Sequence, residues 1–186
     1  MREFHSYLDI IARTNRLYHS DDSVTWLFHP GMLFLSRDKW WGDYRYRHTE
    51  HEGIDITFFS DGKEKIGQFS DRFKIPSFSD GRLIQICSDF LGQSMVVELP
   101  DRCSRYHRTV LVYAHVTPLT RMAAGVSIKK HEVIATACGT AKNPQLPPHL
   151  HLSCFEILKK IPAPEMNWSL FTSQRSFVRM INPFWL

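Results

Sequence analysis

Two histidines stand two residues apart in Pro147-Pro148-His149-Leu150-His151-Leu152-Ser153. In a β-strand alternate side chains share a face, so both imidazoles would look into one site while Leu150 and Leu152 face a core. Pro147 and Pro148 cannot feed a helix here and read as a rigid lead-in to the strand. With 10 His in 186 residues, such a pair arises readily by chance, so its weight depends on partners elsewhere. The chain supplies them. His51 and Asp55 are four apart and share a strand face, and Gly53 between them removes a side chain from that face, which leaves space for an ion. His115 closes the apolar run from Thr109. Three nitrogen or oxygen ligands with one open position are what a catalytic zinc site needs. Such a metal acidifies a water and polarises a carbonyl. Imidazoles left over can move protons, because they titrate near working pH. Two His, one Asp and two spare His suit that division of labour.

Each of these residues alone has a plainer reading. His51 would be a surface or hydrogen-bonded histidine, Asp55 a turn or salt-bridge residue, and His115 a polar strand end. It is the five together, in order and on strand-like segments, that point to a metal site. His48 and His107 are the other histidines expected near the groove. His5, His19, His29 and His131 show no such pattern.

The elements that must position the five are mostly strands. Residues 3 to 19 read as a helix, with Phe4, Leu8, Ile11 and the Leu17–Tyr18 pair at helical spacing. Ser20 to Ser23 read as a polar turn. Val24 to Leu35 is apolar and broken at Pro30-Gly31, as in a hairpin or sharp turn. Trp40 to His48 interleaves aromatic and basic residues. It reads as a strand with Tyr44 and Tyr46 on one face and Arg45 and Arg47 on the other, as a groove wall, or as a stacking surface for nucleic acid. Gly53 to Phe59 is a strand, and Ser60 to Lys65 a loop. From Ile75 onward short strands alternate with turns: Arg82 to Cys87, Ser94 to Leu99, Thr109 to His115 and Val133 to Cys138. Ala141 to Pro148 is a loop. The apolar end, Met180 to Leu186, should pack back on the domain.

Composition is that of a globular chain large enough for one good core, with 43% apolar and 23% charged residues. Aromatics at 13% favour β structure. A net charge of +4 suits an anionic partner but is too diffuse to argue for nucleic acid. No apolar run approaches a membrane span, and Met1-Arg2-Glu3-Phe4-His5 has no apolar signal-peptide region. Cys87, Cys103, Cys138 and Cys154 form no Cys-x-x-Cys pair and read as small buried hydrophobes, with disulfides only on export.

The order His51-Glu52-Gly53-Ile54-Asp55, Tyr113-Ala114-His115, His149-Leu150-His151 resembles the lysostaphin-type (LytM-like) zinc endopeptidases. Ser79 to Leu83 looks like that family's early strand. Ala124-Gly125-Val126 and Glu132-Val133-Ile134 look like its hairpin, and Ile181-Asn182-Pro183 like its closing segment. The resemblance covers about residues 48 to 184. It implies that His51, Asp55 and His151 bind Zn2+ and that His115 and His149 are the catalytic histidines. It implies a mainly β fold, an antiparallel sheet or sandwich with a substrate groove, to which the helix read over residues 3 to 19 adds a short N-terminal helix. It also implies hydrolysis of amide bonds in peptidoglycan peptide cross-links, in the cell envelope. Residues 1–40 would be a helix-and-hairpin extension and 41–186 the zinc peptidase domain, acting as a monomer. The loop from Gly139 to Pro148 replaces the family's Gly-rich Thr-Gly-Ser-type loop. A non-catalytic regulator of the same fold is the alternative, though such regulators usually lack a ligand. Nucleic acid and a membrane span are not expected partners.

Overall fold

The β-branched and aromatic runs of the sequence become strands. A computed structural model describes residues 2–18, 24–60, 66–139, 145–173 and 176–186. In chain order the strands are Thr25–Leu27 (β1), Gly53–Ile56 (β2), Phe58–Ser60 (β3), Ile66–Gly67 (β4), Lys74–Pro76 (β5), Gly81–Ser88 (β6), Gln93–Glu98 (β7), His107–Pro118 (β8), Ser127–Ile128 (β9), Val133–Ala137 (β10), Leu150–Leu158 (β11) and Val178–Ile181 (β12). The helices are Arg2–Thr14 (α1) and Trp168–Ser173 (α2). Among the described residues, nine strands form one sheet along the path β12-β11-β8-β7-β6-β9, with β2 on β11 and β10 joining β8 to β5. Strands β1, β3 and β4 form a separate three-stranded sheet. The architecture is mainly β and antiparallel, with one short N-terminal helix.

The centre of the large sheet is the β8–β11 pair, in register from His151↔Ala114 to Leu158↔His107. Strand β2 flanks the first half of β11, pairing His151↔Asp55 and Ser153↔Gly53. Period-two alternation then divides the side chains. Ile54, Ile56, Leu111, Tyr113, Leu150 and Leu152 enter one core with Phe4, Tyr7, Leu8 and Ile11 of α1. Val110, Val112, Ala114, Phe155 and Ile157 enter a second core under Leu170 and Phe171 of α2. Each fully buried Val, Leu, Ile or Phe side chain among these contributes about 1.5–3 kcal/mol.

One irregularity matters for function. The β7–β8 register shifts between Gln93↔Val116 and Met95↔Tyr113. At this bulge His115 has φ +60°. Val116 returns to the core that holds Tyr113, and His115 is displaced from that face. Bulges beside active sites commonly re-aim a side chain in this way.

Several local expectations change. The first helix ends at Thr14 rather than residue 19, because Arg16 takes a left-handed backbone (φ +55°). The Asn15 side chain bonds the Lys74 carbonyl at this point. Of the two readings of Val24 to Leu35, the sharp turn holds and the hairpin does not: Pro30–Met32 forms a 3-10 turn, and β1 pairs β3. Trp40 to His48 is not a strand. Positive φ at Gly42 and Tyr44 folds it into a loop closed by an Asp38↔Tyr46 bridge. Tyr44 and Tyr46 are 68% and 75% exposed. Cys154 is buried, whereas the other three cysteines are half-buried, and all four are free thiols. The Ser20 to Ser23 turn, His19, the Asp61 to Lys65 part of its loop and Thr140 to Pro144 lie outside the described residues. Among the described residues no helix is long and apolar enough to cross a membrane.

Candidate metal centre and cleft

Strand pairing brings His151 of β11 directly opposite Asp55 of β2. His51 precedes β2 and is tied by backbone bonds to the 33–36 turn, His51 N to Ser36 O at 3.0 Å and Leu35 N to His51 O at 2.8 Å. Three inward atoms then form a small triangle. His51 Nε2 lies 3.2 Å from Asp55 Oδ1, His151 Nδ1 lies 2.8 Å from the same oxygen, and the two nitrogens are 3.0 Å apart. All three residues are buried.

The outer atoms decide the protons. His51 Nδ1 lies 3.1 Å from the Leu33 carbonyl, which only accepts, so Nδ1 carries the hydrogen and a neutral His51 turns a lone pair inward. His151 Nε2 is 2.6 Å from Ser153 Oγ, a partner for its outer hydrogen. Asp55 Oδ2 accepts from the Trp40 indole at 2.6 Å. Lone pairs from two imidazoles and a carboxylate therefore converge. Around a tetrahedral zinc with bonds of about 2.0–2.1 Å, ligands stand roughly 3.3 Å apart. The triangle is close to that spacing, and its donors are of the type zinc takes. His51, Asp55 and His151 thus form a cluster that could hold a metal ion. Burial opposes ionisation of Asp55, but the His51, His151 and His149 imidazoles around it outweigh burial and hold the carboxyl well below the usual range.

His149 and His115 stand off the triangle. The His149 Nδ1–H donates to the Pro147 carbonyl at 2.9 Å, so Nε2 is an acceptor, 3.8 Å from Asp55 Oδ1. Burial lowers this imidazole to about 3. Its ring is 4.8 Å from that of His115 and 5.1 Å, edge to face, from Trp40. His115 Nδ1 lies 3.1 Å from Asp89 Oδ1, an ion-pair distance out of line for a hydrogen bond. Asp89 is itself fixed by Gly92 N, Ser94 Oγ and His115 N at 2.6, 2.8 and 3.0 Å. Burial works against its ionisation, but the adjacent His115 imidazole and the backbone N–H groups of Gly92 and His115 hold it well below the carboxylate range. All five histidine and aspartate candidates line one cleft of about 320 Å³.

Two expectations need correcting. Gly53 does not make room for an ion. A Cβ there would lie 2.5 Å from Leu152 O and Ser153 Oγ and 2.8 Å from His151 Nε2. The glycine admits the neighbouring strand and the His151 ring. Neither His48 nor His107 lines the cleft. His107 begins β8 opposite Leu158, at the far end of the pair from His115.

Sequence reasoning offered Trp40 to His48 as a groove wall, the stretch that supplies Trp40 and Arg47, and missed Asp89 and Trp168 as parts of the site. Arg47 NH2 is 3.5 Å from Asp55 Oδ2. The Trp168 ring is 5.5 Å from that of His151, and its indole donates to Ser94 Oγ at 2.8 Å. Of these two, only Asp89 carried a local signal, a turn Asp three residues before a Gly.

No protein-family model and no curated protein matches the sequence. Solved structures do. A protein described as a candidate glycyl-glycine endopeptidase LytM from Ruminococcus gnavus superposes with TM-score 0.51 at 16% identity, over 90% of this chain and 55% of that one. The fold is LytM-like. The catalytic domain of lysostaphin from Staphylococcus simulans gives TM-score 0.42 at 12% identity, over 77% of this chain and 86% of that one. Helicobacter pylori Csd3 gives 0.45 at 20%, over 88% of this chain. This chain spans a third of Csd3 and about half of the Ruminococcus protein. In this LytM-like fold the cleft lies over the junction of β2, β11 and β8.

Proposed function

We propose that the protein is a zinc-dependent endopeptidase that hydrolyses amide bonds in peptidoglycan peptide cross-links. The observation that carries this reading is the buried His51–Asp55–His151 triangle with two further imidazoles beside it. His51 Nε2, Asp55 Oδ1 and His151 Nδ1 would hold the ion. A bound zinc would supply Lewis acidity to the scissile carbonyl and lower the pKa of a water.

The remaining work falls to the chain. His149 offers an inward lone pair at Nε2, because Pro147 holds its other nitrogen as the donor. It accepts the proton of the attacking water. His115, with the Asp89 carboxylate behind Nδ1, can carry a proton on both nitrogens. It donates from Nε2 to the developing oxyanion and then to the leaving amine. Trp40, Leu33 and Ser153 orient the three ligands through hydrogen bonds.

All five residues come from one chain, which supports a monomer as the working unit. Peptidoglycan as substrate places the activity in the cell envelope. Residues 41–186 would carry the peptidase and residues 1–40 the extension. The test is zinc content and cell-wall clearing by the purified protein. About one zinc per chain together with clearing is expected. A full site without clearing would favour a non-catalytic wall binder of the same fold, and an empty site after zinc loading would end the metal reading.

A further inference from the structure

Trp168 of α2 and Ser94 of β7 have no part in the chemistry above, yet they begin a line of hydrogen bonds that ends on His115. The Trp168 indole N–H donates to Ser94 Oγ at 2.8 Å. Ser94 Oγ donates in turn to Asp89 Oδ2 at 2.8 Å. The same carboxylate oxygen accepts the backbone N–H of His115 at 3.0 Å. Asp89 Oδ1 accepts from Leu91 N at 2.9 Å and from Gly92 N at 2.6 Å, and lies 3.1 Å from His115 Nδ1. Ser94 is fully buried, and the Asp89 side chain is 1% exposed. Trp168 also lines the cleft, with its ring 5.5 Å from that of His151.

The direction of these bonds is fixed at both ends. An indole nitrogen only donates, and an ionised carboxylate only accepts. The Ser94 hydroxyl has a single hydrogen, so with the indole on its lone pair that hydrogen turns to Asp89. Each bond polarises the next. At the far end His115 has φ +60°, a costly backbone for a residue with a side chain. Asp89 holds its N–H, the Cys138 N–H donates to its carbonyl at 2.8 Å, and the Phe90 ring meets its imidazole edge to face at 4.6 Å. Asp89 and Phe90 both belong to the turn between β6 and β7, so whatever fixes that turn fixes His115. At the near end the Trp168 ring stands 5.6 Å from Phe171, which stacks on Phe155 of β11.

We infer that Trp168 and Ser94 are positioning residues for His115, acting through Asp89, so that the α2 wall of the cleft sets where the His115 imidazole stands. This rests on the peptidase reading above. The reaction is unchanged. Water adds to the carbonyl carbon, the C–N bond breaks, and the amine leaves with a proton. Neither Trp168 nor Ser94 gives or takes one. Both oxygens of Asp89 must accept, because every backbone and hydroxyl partner they meet is a donor. The shape-matched Asn therefore does not replace it, since its amide hydrogens would face either the Leu91 and Gly92 N–H groups or the His115 N–H.

The test uses the full zinc-loaded chain with Ser94→Ala, which removes the link, and Trp168→Phe, which removes the N–H and keeps a ring. With a soluble cross-linked muropeptide as substrate, zinc content and KM should hold while kcat falls. The fall should be about 10- to 100-fold in Ser94→Ala, the worth of a hydrogen bond to a charged group, and about 3- to 10-fold in Trp168→Phe, that of a neutral one. The double variant should fall no further than Ser94→Ala, and in a His115→Ala background neither change should lower kcat again. A second readout needs no turnover: by NMR the His115 backbone amide should shift and exchange faster in Ser94→Ala, and by less in Trp168→Phe. Full additivity, a fall in kcat only in step with lost zinc, a loss that persists in the His115→Ala background, or a His115 amide unchanged in both variants would overturn the inference. An inactive wild type whose His115 amide responds in this order would support the positioning role and instead remove the peptidase reading. The two variants break the line at different places, so either serves if the other does not fold.

Discussion

On β2, β8 and β11 one face presents Ile54, Ile56, Leu111, Tyr113, Leu150 and Leu152 to the α1 core, while Asp55, His115 and His151 of the same strands line the cleft. The backbones are shared, yet the two faces are stabilised in opposite ways. The apolar face is complete in itself, since its side chains bury one another. The polar face is complete only in part. Outer hydrogen bonds to Leu33, Ser153 and Pro147 satisfy one nitrogen of each of His51, His151 and His149. The inner atoms are left facing one another. Convergent buried acceptors are unfavourable without a shared proton or cation. The sheet is therefore a scaffold whose lower half supplies the stability that its upper half spends on an open site.

The strongest way to break this contrast is to remove an inner atom. Asp55→Ala and His51→Ala should empty the metal site and abolish cell-wall clearing, while His151→Ala does the same from the opposite strand. Metal analysis of each purified variant checks this, and full zinc occupancy in His151→Ala would refute the ligand assignment. Next in size are the two histidines outside the triangle. His115→Ala and His149→Ala should keep zinc and lose about 10²- to 10⁴-fold in turnover, the usual worth of a positioned acid or base. A variant His149→Ala that loses zinc, with His151→Ala retaining it, would invert the roles of the pair.

The apolar face should respond in the other currency. Leu152→Ala should cost about 2–5 kcal/mol of unfolding free energy and leave zinc binding and low-temperature turnover in place. Chemical denaturation with parallel metal analysis would separate the two faces. Loss of zinc at full stability would mean that they are not independent.

The smallest effect concerns protons. Burial lowers His149 to about 3 in the folded protein, against 6.5 for a free imidazole. Between these values the unfolded chain binds a proton that the folded site excludes, so this group destabilises the fold as pH drops below about 6.5 and has no effect above it. In metal-free protein with chelator present, wild type should lose about 2 kcal/mol more than His149→Gln between pH 7 and pH 5. Equal losses in the two proteins would show that His149 is not held neutral.

Much of this molecule was legible before any coordinates. Period-two alternation put Leu150 and Leu152 on the core side and His151 on the other, because strand geometry leaves no third choice. Pro147 and Pro148 did lead into the strand. The expected β-rich character and the N-terminal helix followed from the same local preferences, and the antiparallel arrangement from the resemblance to the LytM-like family. Three things needed the tertiary structure. Alternation alone would have put His115 on the face of Tyr113, and only the bulge against β7 turns it to the cleft. Asp89 meets His115, and Trp40 and Arg47 meet Asp55, across 26, 15 and 8 residues of chain. Loops carry no periodicity from which such meetings can be read. The need for glycine at 53 was visible as a missing side chain, but its cause is the carbonyl and hydroxyl of a strand roughly 100 residues away. Local chemistry decides which residues can form strands and which can bind; register and loop closure decide which of them meet.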